Sequence, residues 1–329
     1  MQPATNGNLI KPTPPKPAPK PSRMALATNV IRGRLAKPIR ALVFGVEGVG
    51  KSTFAAGAPA PIFLCAESGT SELDVDRFPE PTTWAEVFEA IDELGTTDHK
   101  YQTLVIDTLD WIEPMCWQVV CDKPDDKGVR HENIESRGYG KGYNIAVDEW
   151  RKLLARLERL RNVKGMHIVM LAHSWIKSFK NPEGDDFDRY EMKLNNKAAG
   201  LLKEWCDVVM FANYEILVAK KSNKTRGVDS DARLLHTQRR AAWDAKNRYD
   251  LPESLSLDWT TFFEAAKAHR PGEPANFRAR ISELLAAVTD ATLAERVSGA
   301  VAGAGDDAAK LAKILDHLSG TLQTKENAQ

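Results

Sequence analysis

The run Gly45-Val46-Glu47-Gly48-Val49-Gly50-Lys51-Ser52 has the residue types and spacing of an anion cradle. It matches G-x-x-x-x-G-K-S at every fixed position. Glycines let successive backbone N–H groups turn inward around a phosphate, and a following helix adds the positive end of its dipole. In such a loop the lysine reaches the β- and γ-phosphates and the hydroxyl ligates Mg²⁺. The segment from Gly45 to Thr53 is therefore the candidate site for ATP, with Lys51 on the phosphates and Ser52 on Mg²⁺.

Other candidates close apolar runs. Asp107 ends Thr103–Asp107, where a carboxylate beside the loop would hold the metal's water shell. It could also cap the next helix, and the two roles are compatible. The next residue is Thr108, so the group that activates water must lie elsewhere. Glu67, in Cys65-Ala66-Glu67-Ser68, is the first candidate, because a carboxylate can accept the water's proton. Asp110 is the second. His173 ends the run His167–His173, and Lys246 and Arg248 follow the strand-like Ala241–Ala245. Two cations at i and i+2 of a strand point the same way and can address one anion.

The elements that must position these residues alternate. Apolar runs at Ile39–Gly45, Pro61–Glu67, Thr103–Asp107, His167–His173 and Asp207–Ala212 read as strands buried on both faces. Helices are predicted between them, over Thr53–Ala58, Trp84–Leu94, Asn144–Arg161 and Lys197–Trp205. Thr83 with Glu86 forms a capping box for the second of these. The alternation predicts an α/β fold with a mostly parallel twisted sheet flanked by helices. Strand-like pieces follow at Glu215–Ala219, Arg233–Thr237 and Ala242–Lys246, then a helix near Thr261–Ala268.

Taken together, VFGVEGVGKST, CAESGT, LVIDTLDW and AKNRYDLP resemble the RecA/RadA superfamily of P-loop ATPases. The likeness is to its phage-type group of single-strand annealing recombinases, also called simply ATP-binding or AAA-family proteins. The resemblance covers about residues 38–258. It implies a RecA-like core in which Glu67 polarises water and His173 senses the γ-phosphate. It also implies that Lys246 and Arg248 reach a neighbouring subunit's nucleotide, hence a ring or filament of copies. Nucleic-acid loops would follow the strands ending at Asp107 and His173. The first such loop, Asp122–Tyr143, carries Arg137, Tyr139, Lys141 and Tyr143; the second, Trp175–Asn195, carries Lys177, Lys180, Arg189 and Lys193. Cations that track phosphates beside aromatics that stack on bases suit single-stranded DNA. Lys220, Lys221, Lys224 and Arg226 form a third basic cluster. The implied function is a Mg²⁺-ATP-dependent, DNA-binding ATPase in recombination or strand annealing. A DnaB-like hexameric helicase, and a nucleotide-dependent switch or loader without DNA binding, are the alternatives. A single-strand DNA-binding protein is a further expected partner. No residue stands out as an adenine contact.

Composition frames these readings. Lys+Arg and Asp+Glu are both 45 in 329 residues, which excludes coating of nucleic acid by bulk charge. Residues 1–23 hold seven of the eighteen prolines, with Lys11, Lys16, Lys20 and Arg23 and no acid, and read as a disordered basic leader. Residues 24–270 read as the ATPase core and 271–329 as a small helical appendix. Cys65, Cys116, Cys121 and Cys206 fit no disulfide or zinc spacing and read as reduced thiols. There is no signal-peptide core and no membrane-length apolar run. The expected location is the cytoplasm, the host's if the chain is phage-encoded, with no membrane partner.

Overall fold

The computed structural model describes residues 37–268 apart from 222 and 223, with 278, 281–282, 284–286, 288, 291–305, 307, 310–311, 313–315 and 317–318. In chain order the strands are β1 (Arg40–Gly45), β2 (Pro61–Cys65), β3 (Asp76–Arg77), β4 (Thr103–Asp107), β5 (His167–Phe179), β6 (Phe187–Met192), β7 (Val208–Lys221), β8 (Lys224–His236), β9 (Lys246–Asn247) and β10 (Ser254–Ser256). The helices are α1 (Lys51–Ala56), α2 (Trp84–Thr96), α3 (Leu109–Asp122), α4 (Lys141–Val163), α5 (Asn196–Trp205), α6 (Trp259–Ala268) and α7 (Ala291–Ala304).

The five apolar runs form the middle of one sheet, in the order β10-β8-β7-β1-β5-β4-β2-β3. β7, β1, β5, β4, β2 and β3 pair in parallel, so the expected mostly parallel α/β architecture is the observed one. Alternate residues of β1 serve two cores. Leu42 and Phe44 pack with α2–α5 through Trp84, Ile112, Trp150 and Leu202. Ala41 and Val43 pack with α1 and α6 through Phe54, Trp259 and Phe262. Burial on both faces is why the strands read as continuous apolar runs.

Parallel pairing brings the strand ends level. Gly45 lies opposite both His173 and Ala212, and Cys65 opposite Asp107. Gly45 has a packing reason to be glycine: a Cβ there would stand 2.1 Å from the Ala212 carbonyl oxygen. All four functional strand ends therefore share one edge of the sheet, where such folds bind ligands.

Three expectations change. β5 continues beyond His173 and pairs antiparallel with β6, so Trp175–Asn195 is largely a hairpin rather than a loop. Phe179 against Phe187, with ring centroids 5.3 Å apart, helps to close it. β7 likewise runs on to Lys221, absorbing the separate strand expected at Glu215–Ala219. Ala242–Lys246 is mostly irregular: only Lys246–Asn247 is strand, and Trp243 instead stacks on His236 at 4.3 Å.

Backbone contacts divide the chain into Met1–Arg34 and Leu35–Gln329, and every described residue belongs to the second unit. The Pro/Lys leader lies outside the described residues. Towards the other end, Ile281, Val297, Ala304, Leu311 and Leu318 form a third apolar cluster around α7. Among the described residues, no helix is long and apolar enough to cross a membrane.

The opposite edge of the sheet is tied by a buried ion cluster. Asp207 accepts from Arg40 Nη2 at 2.6 Å and Arg161 Nη2 at 3.2 Å, and Arg248 Nη1 lies 3.4 Å away. Burial pushes the Asp207 carboxyl up, but the hydrogen bond and charge of Arg40, with Arg161, outweigh it and hold it below its ordinary value. Asp207→Ala removes the carboxylate that bridges Arg40 and Arg161, leaving them Glu158 as their remaining acidic partner, and should cost about 3–5 kcal/mol in urea unfolding. A depressed carboxyl contributes stability above its unfolded pKa and loses it as pH falls through the native one. The gap between wild type and Asp207→Ala should therefore narrow below about pH 4.

Candidate active site

The loop between β1 and α1 takes backbone shapes that glycine allows: φ is +73° at Gly48 and +104° at Gly50, the residue that caps α1. Val49 is buried in the core, so it offers the site only its backbone. Glu47 and Thr53 are exposed. The Lys51 ammonium is held by the carbonyls of Val46 at 2.9 Å and Gly45 at 3.2 Å. Burial lowers its pKa, against the fields of Asp107, Asp110, Glu67 and Glu47.

Ser52 Oγ donates to Asp107 Oδ2 at 2.6 Å. Asp107 is 1% exposed, and its other oxygen, Oδ1, is buried without a partner. Burial raises its pKa, opposed by the Ser52 hydrogen bond and by Lys51. An unsatisfied buried carboxylate oxygen next to a hydroxyl fits a hard cation that takes its remaining ligands from phosphate and water. Ser52 and Asp107 could thus hold Mg²⁺.

His173 lies between two carboxylates. Asp110 accepts from the His173 backbone N–H at 2.9 Å and contacts Nδ1 at 2.8 Å. Nε2 lies 3.9 Å from Glu67 Oε1. The Asp110 hydrogen bond raises the His173 pKa against the opposing effect of burial. Burial would raise Asp110, but its bonds to His173 prevail and hold it low. Burial raises Glu67, opposed by His173. Asp110 is thus committed to the histidine, and Glu67 is the carboxylate left to address a water.

The other predicted cations divide. Lys246 Nζ donates to the carbonyls of Glu204 at 2.8 Å and Lys203 at 2.9 Å, closing the end of α5. With Arg248 it stands at the Asp207 edge, at the opposite ends of the strands from the phosphate loop of the same chain. Arg137 donates to the carbonyls of Val120 and Lys123 at the end of α3, and Arg189 is buried against Phe179, near Glu191 and Asp244. Each is thus engaged by contacts within the fold. Lys180 pairs with Asp186 at the hairpin turn. Tyr139 and Lys141 are exposed where α4 begins. The side chains of Lys220, Lys221, Lys224 and Arg226 lie outside those described.

The remaining predicted residues, Tyr143, Lys177 and Lys193, meet in a cleft of about 520 Å³ with Trp117, Trp175 and Lys197. Trp117 and Tyr143 pack edge to face at 5.7 Å, and Lys177 Nζ is 4.3 Å from the Trp175 ring centre. Asp110 and Glu113 also line it. Both Glu113 oxygens accept the Asn195 N–H, and burial pushes the carboxyl up to about 7. Sequence reasoning missed Trp117, Trp175 and Lys197. The available signal was Trp175, an aromatic two residues past a strand-end histidine. It also missed Tyr214 and Arg233. Tyr214 Oη donates to Gly48 O at 3.0 Å, and Arg233 Nη1 lies 2.9 Å from where a Gly50 Cβ would stand.

A family model described as "AAA domain" matches residues 37–249. No curated protein matches the chain. A solved structure described as the RadB recombinase is similar at 12% identity and a TM-score of 0.36, covering 63% of this chain and 84% of that one.

The Asp110–His173 pair gives a direct test. Asp110→Asn should lower the His173 pKa, read by NMR titration of the imidazole. A raised histidine contributes stability below its ordinary pKa of about 6.5 and loses it as pH rises through the native value. That alkaline-side loss should be present in wild type and absent in Asp110→Asn.

Proposed function

We propose, from the premise that the chain belongs to the AAA-domain family matched over residues 37–249, that it is a Mg²⁺-dependent ATPase that binds single-stranded DNA in recombination or strand annealing. The observation that carries this reading is the convergence of Ser52–Asp107 and of Glu67–His173–Asp110 on the end of a phosphate loop. Lys51 would bind the β- and γ-phosphates, and Ser52 and Asp107 would hold the metal. When bound, Mg²⁺ neutralises charge on the phosphate oxygens. Glu67, with its raised pKa, accepts the proton of the attacking water. His173, whose pKa the Asp110 hydrogen bond raises, faces the negative charge that develops on the γ-phosphate.

The assembly we propose is a ring or filament of copies. Lys246 is committed to a helix end, so the cation offered to a neighbour's nucleotide is Arg248, which is half exposed and held by one 3.4 Å contact. DNA is assigned to the cleft beside Asp110. Its tryptophan and tyrosine rings would stack on bases while Lys177, Lys193 and Lys197 follow phosphates. Glu113, with a pKa of about 7, adds less negative charge there than an ordinary carboxylate would.

The deciding measurement is ATP turnover with and without single-stranded DNA, alongside annealing of complementary strands. Turnover should rise with DNA, and Lys51→Ala should abolish it. Glu67→Gln should cut turnover about 10²–10⁴-fold while MgATP still binds. Trp175→Ala should weaken strand binding by about 1–3 kcal/mol if one base stacks there. Turnover indifferent to DNA would instead favour a nucleotide switch or loader, and processive duplex unwinding a translocase.

A further inference from the structure

The groups that would act on the terminal phosphate all stand on one side of β1. His173, Asp107 and Glu67 belong to β5, β4 and the end of β2, which follow β1 in that direction. β7 and β8 flank it on the other side. A nucleotide whose γ-phosphate faces Glu67 and His173 must therefore run its α-phosphate and nucleoside towards β7 and β8.

Tyr214 and Arg233 wait there as a register pair. Gly45 is level with Ala212, and Ala212 with Leu235, so both residues stand two places past the end of β1. The Tyr214 hydroxyl bonds Gly48 O at 3.0 Å. Arg233 Nη1 stands 2.9 Å from the Cβ position of Gly50, and its guanidinium carbon is 5.9 Å from the Tyr214 ring centre. Arg40, Arg161, Arg189 and Arg240 each have a carboxylate partner. Arg233 is exposed and, among the described residues, no carboxylate pairs with it. An uncompensated planar guanidinium lying on an anion-binding loop is suited to a phosphate, which it can contact through two N–H groups.

We propose that Arg233 is a nucleotide-binding residue supplied by the same subunit, taking the α-phosphate end, with Tyr214 holding the loop that presents it. The assignment rests on the reading of Gly45–Thr53 as a nucleotide site. Calorimetric titration of the full chain with MgADP and with MgATP tests it. Arg233→Ala should weaken both nucleotides alike, roughly ten- to hundredfold, the effect of losing a charge-assisted hydrogen bond. Arg233→Lys should recover part of the loss, since it keeps the charge without the fork. The melting temperature without nucleotide should not move, because the side chain is exposed. Unchanged affinities in Arg233→Ala would overturn the assignment alone. A loss confined to MgATP would overturn the α-phosphate placement. Wild-type protein that binds neither nucleotide would overturn the loop reading and this assignment together.

Discussion

The carboxylate of Asp107 is buried at the end of a central strand, with one oxygen bonded to Ser52 over 2.6 Å and the other unsatisfied. Holding a charge there is unfavourable unless positive groups stand close. Lys51 and His173 both lower its pKa, whereas Asp110 raises it. The parallel register brings this about. It sets Gly45 level with His173 and Cys65 level with Asp107, so four separate chain segments end in one small volume. Mutual perturbation follows from that crowding, and it pushes Glu67 and Asp110 in opposite directions. Glu67 is mainly desolvated, while Asp110 has the histidine. Two carboxylates with divided environments are suited to divided roles.

The far edge of the sheet has the reverse electrostatics. There Asp207 binds Arg40 and Arg161, with which Glu158 also pairs, and Arg248 only at 3.4 Å. Lys246 and Arg137 do the same work on different helices, each donating to the last carbonyls, which have no partner within the helix. A cation in that position also meets the negative end of the helix dipole. Motif position in the sequence cannot distinguish such a cap from a reaching finger, because both need a long cationic side chain near an element's end.

This explains what could be read from the chain. The strands, the capping box at Thr83 and Glu86, and the phosphate loop depend on neighbours within a few residues, so local pattern suffices. The Asp110–His173 pair joins residues 63 apart, and the cleft draws on α3, α4, β5 and α5. Neither could be seen before the sheet order was known. The β5–β6 hairpin was obscured differently. Trp175, Lys177 and Phe179 alternate with Ile176 and Ser178, a mixed pattern without a clear polar face, and it reads as irregular.

One helix spans the distance between Asp107 and the cleft. α3 begins two residues after Asp107 and carries Asp110, Glu113 and Trp117 at intervals of three and four, which puts them on one stripe. Asp110 holds His173, Glu113 receives the Asn195 N–H that opens α5, and Trp117 lines the cleft. At about 1.5 Å per residue the stripe is about 10 Å long. A second connection is shorter still: the Lys193 backbone N–H donates to His173 O at 2.9 Å. A ligand that displaced Trp117 or Lys193 would therefore pull on the residues that fix the histidine from both sides. The same two connections tie both the backbone and the imidazole of His173 to residues that stand at the cleft.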